Sequence, residues 1–477
     1  MAKSFWCGAE EQASEFREWL HEARRANGGA KAQTEAESAA PLFTEDLLAR
    51  RLVDRHGERL RYVHVWGRWL VWDGRRWQDD QTRAVIDLTR EICREFGQIS
   101  PKLQARLERA STIEAVERLA RSDRRVAATP DQWDGDPYLL NTPDGVLDFR
   151  TGDLRPHDPA LYCRKMTGAG LGDDCPLWRA FLRRVTDGNE ALERYLQRIA
   201  GYALTGLTRD HALFVLFGHG ANGKSVFLNT LMAALGDYAV KAPADMLLAG
   251  SENRHPTELA MLHGARLVVA SEVNPGSRWN ESRLKELTGG EPITAHFMRQ
   301  DDFTYTPAFK LMLGTNHKPR LRTVDEAVKR RLHLIPFTVT IPPEERDPML
   351  PEKLREELGG ILTWCVEGAA EWLADGLQPP DAVVEHTQEY FDAEDRIGEW
   401  IEARCDADPE NFTRGPDLLK DFRHWLEEHG EGSITRTPFY EALAARGFKT
   451  EIRYKVVWVR GLALRTAGER QYSDDNE

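Results

Sequence analysis

Leu213-Phe214-Val215-Leu216-Phe217 runs without a break into Gly218-His219-Gly220-Ala221-Asn222-Gly223-Lys224-Ser225. The first five residues read as a buried strand, and the next eight fit G-x-x-x-x-G-K-[ST]. Beyond them Leu228, Leu231, Met232 and Leu235 fall at helical spacing, and Gly236 stops the run. A glycine-rich turn between a strand and a helix N-terminus suits a triphosphate, because free backbone N–H groups and the helix dipole both favour an anion. Glycines 218, 220 and 223 let the backbone wrap the anion without Cβ clashes. The expected nucleotide-binding set is Gly218, Gly220, Ala221, Asn222, Gly223, Lys224, Ser225 and Val226. Lys224 supplies charge to the β- and γ-phosphates, and the Ser225 hydroxyl is a ligand for Mg2+. The cofactors implied are ATP and Mg2+.

Outward from this loop, short apolar runs alternate with helical patterns from His211 to Phe337, which predicts an α/β domain with a largely parallel sheet. Arg266-Leu267-Val268-Val269-Ala270-Ser271-Glu272 is an apolar strand ending in an acid. Glu272 is the expected general base and a second metal ligand. Phe309 to Gly314 is a third strand, ending in Thr315-Asn316-His317. Asn316 either bonds the γ-phosphate and its attacking water or caps a turn. Lys329-Arg330-Arg331 precedes the strand Leu332 to Phe337. Arg331, with Arg330, is expected to reach a nucleotide held by a neighbouring subunit.

In this order the motifs resemble those of superfamily 3 helicases, in the phage/plasmid and poxvirus-type primase–helicase branch. The matching blocks are Gly218 to Ser225, Arg266 to Glu272, Lys285-Glu286-Leu287-Thr288-Gly289-Gly290-Glu291, Thr315 to Pro319, and Arg330 to Phe337. Leu140-Asn141-Thr142-Pro143-Asp144-Gly145-Val146-Leu147-Asp148 is similar to the region that precedes the motor in that family. The resemblance implies an AAA+-like P-loop ATPase, a hexameric ring and 3′ to 5′ translocation on single-stranded DNA. It also implies a channel hairpin, for which Ile293 to Phe297 and Phe303 to Thr306 alternate like two arms around a tip at Met298 to Asp302. This sequence departs from the family in carrying Ser271 where a second acid is common, and Gly-Gly-Glu where Gly-Gly-Asp is commoner. The residues before Pro41 are too short for a primase domain, so no primer synthesis is expected.

Two regions are expected to face DNA. Lys285 and Arg299 on the channel hairpin would bind backbone rather than bases. The segment Arg436 to Arg465 holds seven Lys or Arg against two acids, in helix–helix–basic-hairpin order that suggests a winged helix. Its candidate DNA contacts are Arg436, Arg446, Lys449, Arg453 and Lys455.

The expected organisation is an N-terminal helix and linker (1–40), an α+β accessory domain (41–175), the helicase ATPase domain (176–380), a winged-helix-like domain (381–465) and a disordered tail (466–477). A net charge of −13 argues against a non-specific nucleic-acid coat but not against local basic surfaces. No apolar run is long enough to span a bilayer, and the start of the chain has no secretion signal. The six cysteines match no zinc-ligand spacing and read as reduced thiols of a cytoplasmic protein. The predicted function is an ATP-dependent helicase of phage- or plasmid-type replication. Its partners are single-stranded and forked DNA, copies of itself and a separate primase or polymerase, with no membrane. Two rivals use the same ATP site: an origin-binding initiator or loader without processive unwinding, and a DNA-binding regulatory or defence ATPase.

Overall fold

The computed structural model describes residues 43–250, 257–296, 302–321, 325–430, 434–453 and 456–465. They divide into two compact units, residues up to 55 with Ala84–Asp123, and His56–Arg83 with residues from 124 onward. The region expected to be one accessory domain, 41–175, is therefore shared between the two.

The smaller unit is helical: α1 (Glu45–His56), α2 (Ala84–Gly97), α3 (Pro101–Leu107) and α4 (Ala110–Ala120). Thr44 Oγ1 accepts from Leu47 N at 3.2 Å, and Ser100 accepts from Leu103 N at 3.3 Å with Pro101 in the first helical position. Leu48, Leu52, Ile92, Phe96 and Val116 are buried at i, i+4 spacings typical of one apolar helix face.

The larger unit begins with the tryptophan-rich strands β1 (Leu60–Val63), β2 (Arg68–Trp72) and β3 (Trp77–Asp79), joined by β4 (Ala127–Ala128) in the order β3-β2-β1-β4. Trp66, Trp72, Trp77 and Trp133 form its core, with Trp77 and Trp133 edge to face at 5.7 Å. A meander of β5 (Leu139–Thr142), β6 (Gly145–Asp148) and β7 (Asp153–Arg155) follows, then α5 (Pro176–Val185) and α6 (Glu190–Leu204). Asn189 caps α6 by accepting from Leu192 N at 3.0 Å.

The central sheet has β8 (Leu213–Phe217), β9 (Ala239–Pro243), β10 (Leu267–Ser271), β13 (Lys310–Thr315) and β14 (Leu332–Pro336), all parallel, in the order β14-β8-β13-β10-β9. Between β10 and β13 lies the hairpin of β11 (Ile293–Ala295) and β12 (Phe303–Tyr305). Side chains alternate between two cores. Phe214, Leu216, Val269, Met312 and Ile335 pack on one face, and Leu213, Val215, Val268, Ala270, Leu311 and Leu334 on the other. Burial on both faces is why these strands read as unbroken apolar runs. On the first face lie α7 (Lys224–Leu235), which follows β8, and α11 (Leu358–Asp375), whereas α8 (Glu281–Thr288) supplies Leu284 and Leu287 to the second. The segment Glu326–Lys329 forms one further turn, α9, before β14, and α10 (Leu350–Glu356) precedes α11.

Two buried cations tie the sheet to its surroundings. Arg266, beside β10, donates to Leu204 O at 2.6 Å and Leu139 O at 2.5 Å. Lys310 donates to Leu207 O at 3.2 Å, Ala308 O at 3.0 Å and Thr205 O. Both reach the C-terminal end of α6, where partial negative charge collects.

The chain continues through α12 (Asp381–Glu394) and α13 (Arg396–Arg404) to β15 (Cys405–Asp406), β16 (Phe412–Arg414), α14 (Gly415–Glu428), α15 (Arg436–Ala445), β17 (Lys449–Arg453), β18 (Val456–Arg460) and β19 (Ala463–Leu464). Trp400, Leu418, Phe422, Phe439, Leu443 and Val459 give this last part its own core. Among the described residues no helix is long and apolar enough to cross a membrane.

Two histidines in the larger unit are held neutral. His333 Nδ1 lies 2.6 Å from the Tyr195 hydroxyl, and His263 sits edge-on to Trp66, Phe303 and Tyr305. Burial lowers both from 6.5 to about 4, assisted at His263 by Arg164 and Lys165. The unfolded chain takes up protons at both sites below pH 6.5 and the folded chain does not. Stability present above that pH is therefore lost as it falls toward 4, by on the order of 1–3 kcal/mol per histidine. Melting temperature should drop between pH 7 and pH 5. A His263→Gln/His333→Gln variant should show a flatter profile over this window, and an equally steep one would contradict the assignment.

Candidate nucleotide site

The C-terminal ends of β8, β13 and β10 lie level with one another, with Thr315 beside Phe217 and Ser271 beside Gly314. Ligands of open parallel sheets bind at this end. The loop Gly218 to Gly223 leaves β8 there. Gly218 has φ 150°, and a Cβ on it would meet Phe337 O at 2.0 Å; Gly223 has φ 85° and caps α7. Only glycine fits both positions without strain. Asn222 donates to Phe337 O at 2.7 Å, and Ala221 O accepts from Ile341 N at 2.8 Å, so the loop is fastened to the chain that follows β14.

Lys224 is 7% exposed. Its Nζ donates to Gly218 O at 2.7 Å, Asn222 Oδ1 at 3.0 Å and Asn316 Oδ1 at 3.1 Å. None of these oxygens carries a formal charge, and burial holds the ammonium below the usual lysine range. Unlike Lys310, which is closed off by backbone carbonyls, Lys224 lines an open cavity, so its charge is available to an anion there.

The second reading of Asn316, as a turn cap, is met by another residue. Thr315 Oγ1 accepts from His317 N at 3.0 Å and donates to His317 O at 2.7 Å, which leaves the Asn316 side chain for Lys224. Glu272 follows β10 with φ 67°, its N–H donating to Gly314 O at 3.2 Å. A non-glycine residue in the left-handed region costs on the order of 1 kcal/mol, and such residues concentrate at functional sites.

Lys224, Ser225, Glu272 and Asn316 line one cavity of about 350 Å³, together with Gly220, Ala221 and Asn222. The cavity also takes in Ser271, which stands where a second acid is common in the family, and Lys241 and Asn229, which the motif reading did not single out. A lysine inside an otherwise apolar strand is the one sequence signal that points to Lys241. Gly218 and Gly223 shape the loop from behind, and Val226 is half-buried against the core.

The Ser225 hydroxyl and Glu272 carboxylate are hard oxygen donors, and the described residues hold no cluster of three His, Cys, Asp or Glu. That set fits Mg2+, which binds one or two protein oxygens and takes its remaining ligands from phosphate and water.

Arg330 and Arg331 line a separate cavity of about 730 Å³ with Asp210, His211, Lys285 and Glu286. Arg331 is 8% exposed; its Nε donates to Thr288 Oγ1 at 3.1 Å and one terminal nitrogen to Ala327 O at 2.6 Å. Arg330, next to it, is exposed. Lys285, expected to hold DNA phosphate, pairs with Asp325 at 2.5 Å. The hairpin arms pair as the alternation predicts, with Ile293 opposite Tyr305 and Ala295 opposite Phe303. Arg299 and most of the tip lie outside the described residues.

In the C-terminal part, β16, β18 and β17 form a three-stranded antiparallel sheet behind α14 and α15. Arg446 donates to Ala442 O at 3.0 Å and pairs with Asp395, so it is turned inward and is not a free DNA contact. Arg453 pairs with Glu451 at 2.8 Å and lies over the Phe412 ring. Lys449 is exposed, and Arg436 lies over Tyr440 at 5.7 Å. Lys455 lies outside the described residues.

Comparison with known proteins finds a class first. Over 330 residues, 63% of this chain, it is 26% identical to a candidate helicase of Acanthamoeba polyphaga mimivirus. It is 26% identical over 274 residues, 52% of the chain, to a candidate helicase of Frog virus 3. A candidate primase of African swine fever virus is 27% identical over 210 residues, which cover 42% of this chain and 22% of that protein. The matched segments cover 34% of the mimivirus protein and 28% of the Frog virus 3 protein, so the chain spans about a third of the length of these relatives. The apo C-terminal region of NrS-1 superposes with a TM-score of 0.47 at 10% identity, covering 88% of this chain and 100% of that one.

Residues 49–187 match the D5 N terminal like family, and 216–331 match a family of unknown function, DUF5906. Together the matches support the D5-type primase–helicase family, the one the motifs resemble.

Proposed function

We propose that the chain is an ATP-dependent DNA helicase motor of replication, with a P-loop NTPase fold around β8 and a winged-helix module at its C-terminal end. One observation carries the reading. The buried ammonium of Lys224 is held by three uncharged oxygens in the same cavity as Ser225, Glu272 and Asn316. That is the arrangement of a site that binds a triphosphate and activates water. The names of the viral relatives, candidate helicases and a primase, support work on DNA during replication.

In this reading the loop N–H groups and Lys224 bind the phosphates of ATP, and Asn316 orients the attacking water. Glu272 accepts that water's proton. Mg2+, held by Ser225 and Glu272, would neutralise charge on the phosphate oxygens. Arg330 and Arg331 line a cavity of their own, as residues serving a neighbour's nucleotide would. The family implies a homo-hexameric ring, and a site shared between neighbouring copies suits one. Translocation along one strand, 3′ to 5′ as the family implies, would move the β11–β12 hairpins.

The structure turns Arg331 inward and leaves Arg330 exposed, so Arg330→Ala is the variant expected to remove turnover in the assembled state, by about 10³-fold, while nucleotide binding stays within a few-fold. Steady-state phosphate release and equilibrium binding read the two separately, and full turnover by the assembled variant sinks the shared site. A forked duplex with ATP and Mg2+ tests the motor itself. Strand separation that requires hydrolysis is the expected result. Hydrolysis with origin binding and no separation would favour a loader, and DNA-independent hydrolysis a regulatory ATPase.

A further inference from the structure

We infer that Lys241 is a second phosphate-binding cation of this site, one that takes the outer end of a nucleoside triphosphate and lets the site hold it without a divalent cation. The inference rests on the nucleotide reading above and extends it to the charge state of the ligand.

Lys241 sits in the middle of β9, the edge strand, opposite Val269 of β10. Val269 faces the same core as α7, and both residues line the nucleotide cavity. The Lys241 side chain is exposed and makes no ion pair or hydrogen bond among the described residues. A charged edge-strand residue also discourages strand addition. That role needs only an edge position, and it does not account for a lysine that lines this cavity.

The charge balance makes the case. The charged side chains lining the cavity are Lys224, Lys241 and Glu272, two cations against one carboxylate. Ser271, which precedes Glu272, adds a hydroxyl and no charge. The N-terminus of α7 adds further positive potential. A site of this sign attracts the full charge of a free triphosphate tail. A site with more carboxylates would repel that charge and bind only the magnesium complex. Magnesium then serves turnover rather than retention.

The test is equilibrium binding of a slowly hydrolysed ATP analogue to the full chain, in Mg2+ and in EDTA. Replacing Mg2+ by EDTA should weaken wild-type binding by less than about tenfold. Lys241→Met should lose at least about tenfold in EDTA and no more than about threefold in Mg2+, the scale of one charge-assisted contact. Lys241→Arg should restore most of the loss. Ser271→Asp, which adds a carboxylate, should bind well in Mg2+ and poorly in EDTA. Lys241→Met binding the magnesium-free analogue as tightly as wild type overturns the assignment and leaves the nucleotide site standing. Wild type retaining no analogue under either condition overturns the nucleotide site, and this assignment with it.

Discussion

Lys224→Ala is expected to abolish ATP turnover, lowering it by about 10³-fold or more, and to weaken nucleotide binding by at least about tenfold. The reason is geometric and electrostatic together. The ammonium is buried and held by Gly218 O, Asn222 and Asn316 at the wall of the cavity. No other described cation lies within the loop. The same burial means that the folded chain carries an ammonium with no carboxylate beside it. Removing it should leave the urea midpoint unchanged or raise it, because a desolvated charge is lost along with the contacts it made. Loss of activity combined with unimpaired stability is the signature of a functional cation. A large fall in stability would instead mark Lys224 as a structural tie between β8 and β13.

Glu272→Gln is expected to reduce turnover by about 10²–10⁴-fold while retaining nucleotide, because an amide keeps the shape of the side chain and cannot accept the water's proton. The backbone gives a second, independent reading. Glu272 holds φ 67° at the end of β10. Glycine adopts that conformation at no steric cost, so Glu272→Gly should gain up to about 1 kcal/mol of stability while losing turnover. Urea unfolding and phosphate release measure the two effects. A glycine variant that is both less stable and still active would contradict the assignment of strain and of chemistry to this residue.

The loop and its strand were legible because their chemistry is local. Glycine spacing, a lysine and an apolar run that is buried on both faces all fall within consecutive residues. The hairpin arms were legible for a similar reason, since Ile293, Ala295, Phe303 and Tyr305 alternate with outward residues such as Thr294 and Thr304, which meet at 3.2 Å.

What was not legible depends on distant contacts. The strand Ala239–Pro243 was missed because an edge strand with an exposed lysine breaks the apolar pattern. Nothing in Lys329-Arg330-Arg331 says which guanidinium turns inward; Thr288, more than forty residues away in sequence, decides it by accepting from Arg331. Arg446 reads in the sequence as a free basic residue at the end of a helix, whereas Asp395, the N-cap of α13 and 51 residues earlier, pairs with it. The region 41–175 is shared between two units for the same reason. Leu139 O and Asn141 N bond to Arg266 and Tyr238, about a hundred residues further on, and no local pattern records that.

The central claim is that one cavity binds ATP and hydrolyses it. Its most direct test is inorganic phosphate release by the purified full chain with ATP and Mg2+, with and without single-stranded DNA, beside Lys224→Ala. Magnesium-dependent release that DNA stimulates, and that vanishes in the variant, is the predicted result. Release no greater than that of Lys224→Ala, with no nucleotide retained by the wild-type chain, would contradict it.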